Sequence, residues 1–312
     1  MILSISNLNT QFKTKSGFVR ATCDVNLDIR PHEIWGLVGE TGCGKSVLGQ
    51  AILRLLPSNA QVSGEINYRG QNLLAMSMRE IREIRGKKIA YICQNPAEAL
   101  NPVFKAGTQL MESIRINQRT NASQSRGVAE RLLRELSFSS PETCMDSYPH
   151  ELSGGMKQRV LAAMGMSGHP ELLIADEPTK GLDALIRGQT IQTIQKFINT
   201  AQCAALIITH DLKFASAVCT HIAVMYAGEL VETGRADSVL SSPSHPYLQA
   251  LIEAQPDRGM KILKGSACSL IDMPEHCRFY NRCDQSGEEC LTAHPAMRLV
   301  GGIREVRCFN YA

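Results

Sequence analysis

No stretch of this chain approaches the ~18 consecutive apolar residues of a membrane-spanning helix, so none of its segments is expected to cross a bilayer. The opening, Met1-Ile-Leu-Ser-Ile-Ser-Asn-Leu8, lacks the charged patch followed by an apolar core that marks a secretory signal. Net charge is equally scarce. A formal +3 over 312 residues, without a basic cluster, argues against nucleic acid as a partner. Internal repeats and low-complexity segments are missing too, which leaves out repeat architectures and long linkers. What is present, 44% hydrophobic and 20% charged residues, describes an ordinary globular protein. The length suits one large domain with an appendage, or two domains.

The 11 cysteines are unevenly spread. Cys23, Cys43, Cys93, Cys144, Cys203 and Cys219 stand singly, as buried small hydrophobes do. Cys268, Cys277, Cys283, Cys290 and Cys308 crowd the last 45 residues. Without a secretory signal a disulfide scaffold is not expected, and metal ligation is the better reading of this tail. Cys277, Cys283, Cys290 and Cys308 are separated by five, six and seventeen residues. Zinc sites usually open with closer cysteines, and common ferredoxin spacings do not match either, so spacing alone names no metal.

The chain is organised around Gly39-Glu40-Thr41-Gly42-Cys43-Gly44-Lys45-Ser46. An apolar run, Ile34–Val38, precedes it and a helical pattern starting at Val47 follows. Strand, glycine loop and helix start is the context in which such a loop cradles phosphate. Its backbone N–H groups can wrap anionic oxygens, and the helix N-terminus adds partial positive charge. Lys45 is expected to reach the β- and γ-phosphates and Ser46 to ligate Mg²⁺. The same positive potential is expected to lower the pKa of Cys43 and make its thiol reactive.

Before the loop, Ile2, Leu3, Ile5 and Leu8, then Val25, Leu27 and Ile29, alternate as half-buried strands, with Gly17 in the turn between them. Phe12 is a candidate to stack on adenine, with Phe18 its rival. After the loop, residues 62–70 and 87–93 read as strands, the second delivering Gln94. A helical region follows, its apolar face carrying Val128, Leu132, Leu133 and Leu136. Another helix runs from about Leu152 to Gly168 and is stopped by Pro170. Leu172–Ala175 and Ala204–Ile208 are continuous apolar runs, as strands of a parallel sheet are. They end at Asp176-Glu177 and at Thr209-His210. The alternation predicts an α/β fold with a mostly parallel sheet. A boundary is placed near residue 258, after Pro243, Pro246 and Pro256 punctuate the chain.

Open parallel sheets bind ligands beyond the carboxyl ends of their strands, where the loop, Gln94, Asp176, Glu177 and His210 are all expected. Asp176 would hold Mg²⁺ with Ser46, Glu177 would polarise water, and His210 would sense the γ-phosphate.

The loop, Gln94, Leu152-Ser-Gly-Gly-Met-Lys-Gln158, Leu172–Glu177, Gly181-Leu-Asp183 and His210, in this order, resemble an ATP-binding-cassette ATPase over residues 1 to about 240. The resemblance implies a P-loop NTPase fold with an antiparallel β subdomain and a helical subdomain at about 95–168, within a cassette spanning 1–258. It implies a head-to-tail dimer, with ATP between one subunit's loop and the other's Ser153-Gly154-Gly155. The implied nucleotide contacts are Phe12, Gly39, Glu40, Thr41, Gly42, Cys43, Gly44, Lys45, Ser46, Val47, Ser153, Gly154, Gly155, Asp176 and Asp183. Glu177, His210 and Gln94 are the implied catalytic residues, with Ser46, Gln94 and Asp176 on Mg²⁺.

A narrower resemblance rests on Gln94-Asn-Pro-Ala-Glu-Ala-Leu-Asn-Pro102, Ser244-His-Pro-Tyr247 and the tail's Cys277, Cys283, Cys290 and Cys308. These are similar to the oligopeptide, dipeptide and nickel importers of bacteria. That branch implies an ATPase powering peptide import from the cytoplasmic face of the inner membrane, as a peripheral subunit. Its partners would be a second, distinct ATPase, two membrane permeases and an external binding protein. In some members the tail, here 259–312, holds a four-iron cluster, which assigns Cys277, Cys283, Cys290 and Cys308 as ligands. Gly181, Asn281, Asp284 and the extra Cys268 depart from the branch pattern. The alternatives are nickel or a metal chelate as cargo and, in another class, a soluble cassette ATPase acting on ribosomes or DNA. The single cassette and weak net charge speak against the latter.

Overall fold

The alternating and continuous apolar runs become strands, and the stretches with a helical apolar face become helices. The computed structural model describes residues 1–15, 17–180, 184–302 and 304–311; of 96, 97, 184–186 and 257 it describes the backbone. The strands before residue 100 are β1 (Leu3–Thr14), β2 (Gly17–Ile29), β3 (Ile34–Val38), β4 (Ala60–Tyr68), β5 (Gln71–Asn72) and β6 (Ile89–Ile92). Those after it are β7 (Leu172–Asp176), β8 (Ala204–Thr209), β9 (His221–Tyr226), β10 (Glu229–Arg235), β11 (Arg298–Val300) and β12 (Arg304–Val306). The first helices are α1 (Lys45–Ile52), α2 (Met78–Ile84), α3 (Pro96–Ala99), α4 (Ala106–Gln118), α5 (Ala122–Glu135) and α6 (Pro141–Asp146). They are followed by α7 (Gly154–Met166), α8 (Ala184–Ala201), α9 (Leu212–Val218), α10 (Ala236–Ser241), α11 (Pro246–Glu253) and α12 (Glu289–Thr292).

The chain forms two compact units. One joins Met1–Ala75 to Ile208–Ala312, and the other is Met76–Ile207.

In the first unit an antiparallel sheet runs in the order β2-β1-β4-β5. Leu3 pairs with Ile29, Ile5 with Leu27 and Leu8 with Val25. All six side chains are buried, so the alternation does set one face toward the core. A second sheet follows the order β11-β12-β10-β9-β3. β3 and β9 are parallel, Gly36 facing Ile222. β9 and β10 are antiparallel, joined by Ala227-Gly228, both with positive φ. That two-residue turn matches strand twist and permits only antiparallel pairing. β12 then adds to β10, Glu232 opposite Val306, and β11 adds to β12.

In the second unit the strand order is β8-β7-β6, with β6 parallel to β7. β7 and β8 are buried at every position, which explains their unbroken apolar sequence. Helices α4, α5, α6 and α7 pack on one another. α5 begins in a capping box of Asn121 and Gln124, which satisfies two orphan groups, and buries Ala129, Leu132 and Leu133. Among the described residues no helix is long and apolar enough to cross a membrane.

Candidate functional site

The loop after β3 is shaped by close approach of its neighbours. At Gly44, φ is +110°, and a Cβ there would stand 2.0 Å from the Ala21 carbonyl oxygen. At Gly39 a Cβ would stand 2.2 Å from the Met225 carbonyl oxygen. Only glycine lets the backbone turn this tightly against two strands. Gly44 is the N-cap of α1 and offers no side-chain cap, so the first-turn N–H groups are presented by the loop itself.

Lys45, 5% exposed, sends its ammonium back over the loop. Nζ donates to the carbonyl oxygens of Gly39 and Glu40, both at 2.8 Å. A buried cation held by two carbonyls beside a helix N-terminus is a concentrated positive site. Ser46 and Val47 follow in the first turn, half-buried, while Thr41 and Gly42 are exposed.

Cys43 corrects an expectation. Its Sγ lies 3.8 Å from Lys45 Nζ, yet burial pushes the thiol pKa up, outweighing the nearby charge. Desolvation disfavours the thiolate more than the ammonium favours it, so the residue is an inert part of the loop wall.

Phe12 sits in β1 opposite Val19 and Ala60, half-buried, and Phe18 is more exposed. His210 directly follows β8 and is exposed, and Asp211 caps α9 through the N–H groups of Lys213 and Phe214.

In the second unit, parallel register sets Ile92 beside Ala175, so β6 and β7 end together. Gln94, half-buried, lies two residues beyond β6. Asp176 closes β7 and is buried, with Oδ2 accepting from the Tyr91 hydroxyl at 2.8 Å. Glu177, 6% exposed, has φ +47°, a backbone state that non-glycine residues rarely adopt. Such strain at a buried carboxylate is a mark of functional positions. Ser153 is the N-cap of α7, its Oγ accepting from Met156 N at 3.3 Å. Ser153 and Gly154 are exposed, and the space around Gly154 is open. Asp183 lies outside the described residues.

Three partners were not legible in the motifs. The Glu40 N–H donates to the Tyr247 hydroxyl at 2.8 Å, and the Glu40 carboxylate pairs with Arg282. Tyr91 fixes Asp176. The Ser244–Tyr247 segment carried the one available signal. It is locked by the buried Glu232 carboxylate, which accepts from the N–H groups of Ser244 and His245. The buried His245 ring, its pKa lowered to about 3 by desolvation, accepts at Nδ1 from Tyr247 N.

The tail cysteines share a neighbourhood but not a ligand shell. Burial, with smaller contributions from Cys290 and Cys283, pushes the Cys277 thiol up to about 12. Cys283 is raised by burial and by Cys308 and Cys290, and Cys308 by burial and Cys290. Burial also raises Cys268, whose nearby charges are Arg278 and Glu229 rather than the other tail cysteines. Among the described residues no three His, Cys, Asp or Glu side chains form a group that could hold a metal ion. The expected assembled cysteine site is therefore not met.

Comparison with known proteins agrees with this geometry. The family model described as ABC transporter matches residues 22–180, and that for the oligopeptide/dipeptide transporter C-terminal region matches 231–290. An ATP-binding protein of Brucella abortus (strain 2308) named for peptide import is 36% identical, over 98% of this chain and 94% of its own. The dipeptide transport ATP-binding protein of Escherichia coli K12 is also 36% identical, over 98% and 96%. A dimeric ATP-binding cassette solved in a post-hydrolysis state with ADP and Pi shares the fold. Its TM-score is 0.68 at 24% identity, over 75% of this chain and 98% of that one.

Proposed function

Since the chain belongs to the ABC transporter family, we propose that it is the ATP-binding and ATP-hydrolysing subunit of a bacterial importer of di- and oligopeptides. The observation that carries the reading is the glycine cradle closed over a buried Lys45 at the start of α1. Triphosphate oxygens take the place of the Gly39 and Glu40 carbonyls as partners of Nζ, and loop N–H groups receive the rest of the charge. Phe12 stacks on the base.

Mg²⁺ is a hard cation that takes few protein ligands, all oxygen, and it neutralises charge between the β- and γ-phosphates. The Ser46 hydroxyl and the buried Asp176 carboxylate fit that donor chemistry, and the Gln94 amide would supply a further oxygen. Tyr91 orients Asp176 by its hydroxyl. Glu177 then holds the attacking water and takes up its proton, and His210 contacts the γ-phosphate. Ser153, Gly154 and Gly155 serve the nucleotide of a partner cassette, which the exposure of Ser153 and Gly154 supports, and a role for Asp183 there rests on the family resemblance alone. The partner is a second ATPase in head-to-tail arrangement, with two permeases and an external binding protein completing the complex. The chain then sits peripherally on the cytoplasmic face of the inner membrane, residues 1–258 as cassette and 259–312 as extension.

Lys45→Ala is expected to abolish binding of a fluorescent ATP analogue to the purified chain and peptide-stimulated hydrolysis by the reconstituted complex. Undiminished affinity in that variant would refute the site. A four-iron cluster on Cys277, Cys283, Cys290 and Cys308 is a separate proposal that rests on the family resemblance and would require these cysteines to draw together around the metal. Iron and sulfide analysis after anaerobic purification tests it, and zinc alone or no metal overturns it.

A further inference from the structure

The phosphate loop is tied by its Glu40 to the C-terminal extension. Arg282 donates from Nη1 to Glu40 Oε2 at 2.7 Å and from Nη2 to Oε1 at 2.9 Å. Its Nε donates to the Lys264 carbonyl oxygen at 3.0 Å, so the guanidinium is fixed on three sides. The Arg282 side chain is 5% exposed and lies beside the rings of Tyr226 and Phe279. Those two rings pack with Tyr247, whose hydroxyl takes the Glu40 N–H. One residue of the loop is thus held at three atoms groups: N–H by Tyr247, carboxylate by Arg282, and carbonyl by Lys45.

We propose that Arg282 is a positioning residue for the phosphate loop, neutralising Glu40 and fixing its peptide so that the loop can accept nucleotide phosphate. The proposal rests on the reading of Gly39–Ser46 as the nucleotide cradle. A carboxylate in an anion-binding loop repels the anion it is meant to receive, and the loop is useful only if that charge is matched. A bidentate guanidinium matches it in charge and in direction, which an ammonium cannot do. Position matters as well, because Lys45 rests on the carbonyl of the same residue. A shift of Glu40 moves the ammonium that meets the phosphates. The extension thereby acts on the nucleotide site through one ion pair.

The test is a cycle of variants read by affinity of the purified full chain for a fluorescent ATP analogue, with KM and kcat taken in the assembled complex. Arg282→Met leaves Glu40 charged and unmatched. It is expected to weaken nucleotide binding about tenfold, within the range usual for coupled sites, mainly as a rise in KM. Arg282→Met/Glu40→Gln, read against Glu40→Gln alone, is expected to lose far less than the tenfold that Arg282→Met costs in the parent, a non-additivity diagnostic of coupling. Arg282→Lys keeps the charge without the fork and should fall between. If Arg282→Met does not fold, Arg282→Lys against Glu40→Gln carries the comparison.

Unchanged affinity in folded Arg282→Met and Arg282→Lys would overturn the proposal, as would a loss from Arg282→Met that is equally large in the Glu40→Gln background. Lys45→Ala keeps the two readings apart. If it too binds normally, the cradle reading has failed; if it alone loses nucleotide, only the role of Arg282 has.

Discussion

Gly44→Ala and Gly42→Ala place the same methyl group in the same loop with different expected costs. At Gly44 the new Cβ would lie 2.0 Å from the Ala21 carbonyl oxygen and 2.8 Å from Met225 Cε, at φ +110°. The left-handed backbone costs about 1–2 kcal/mol, and displacing a strand carbonyl adds the roughly 1–3 kcal/mol typical of overpacking. At Gly42, φ is +87° but nothing lies within 4 Å of the Cβ, so only the backbone cost remains. Gly44→Ala should therefore lose about 2–5 kcal/mol and Gly42→Ala about 1–2 kcal/mol. Urea unfolding followed by far-ultraviolet circular dichroism measures both, as a fall in midpoint at constant slope. Equal losses, or a larger loss at Gly42, would refute the argument that strand proximity sculpts the loop.

Three further outcomes are expected. Glu177→Gln should keep nucleotide affinity and lose about 10²–10⁴-fold in turnover, the usual worth of a positioned base; hydrolysis near the parent rate in the purified complex would remove Glu177 from that role. Alkylation mapped by mass spectrometry should find Cys43 among the slowest thiols, since it is buried with a raised pKa, and rapid labelling there would contradict its inertness. His245 makes stability pH-dependent. Its folded pKa, about 3, lies below the ordinary 6.5, so the unfolded chain takes a proton that the fold refuses. Its contribution is intact above pH 6.5 and declines as pH falls toward 3, by roughly 2 kcal/mol at pH 5. His245→Asn keeps a cap acceptor and should flatten that decline; unchanged pH dependence would show that another group governs it.

The elements around the site could be read from sequence because their causes are local. A buried strand running into a glycine loop, and apolar runs ending in Asp176 and His210, gave strand ends where β7 and β8 do end. α7 begins and ends within two residues of the span from Leu152 to Gly168 that Pro170 closes. What escaped was distant or energetic. Glu40 meets Tyr247 and Arg282, 207 and 242 positions away, and no periodicity encodes such a meeting. The thiol of Cys43 was misjudged because sequence shows the neighbouring charge of Lys45 but not the burial that outweighs it. The strained backbone of Glu177 is likewise a property of the folded turn. In the tail, cysteine clustering and the family resemblance suggested ligands, while among the described residues the side chains form no such group.

The outer edge of β10 is covered by β12, where Gly234 faces Arg304, a residue 70 positions further along the chain. During synthesis at about 5–20 residues per second, β10 therefore waits roughly 4–14 s for its cover. Through that interval its unpaired N–H and C=O groups form a template for any other extended chain. The order of emergence, rather than the stability of the finished fold, thus sets the moment at which this protein is most exposed to misassembly.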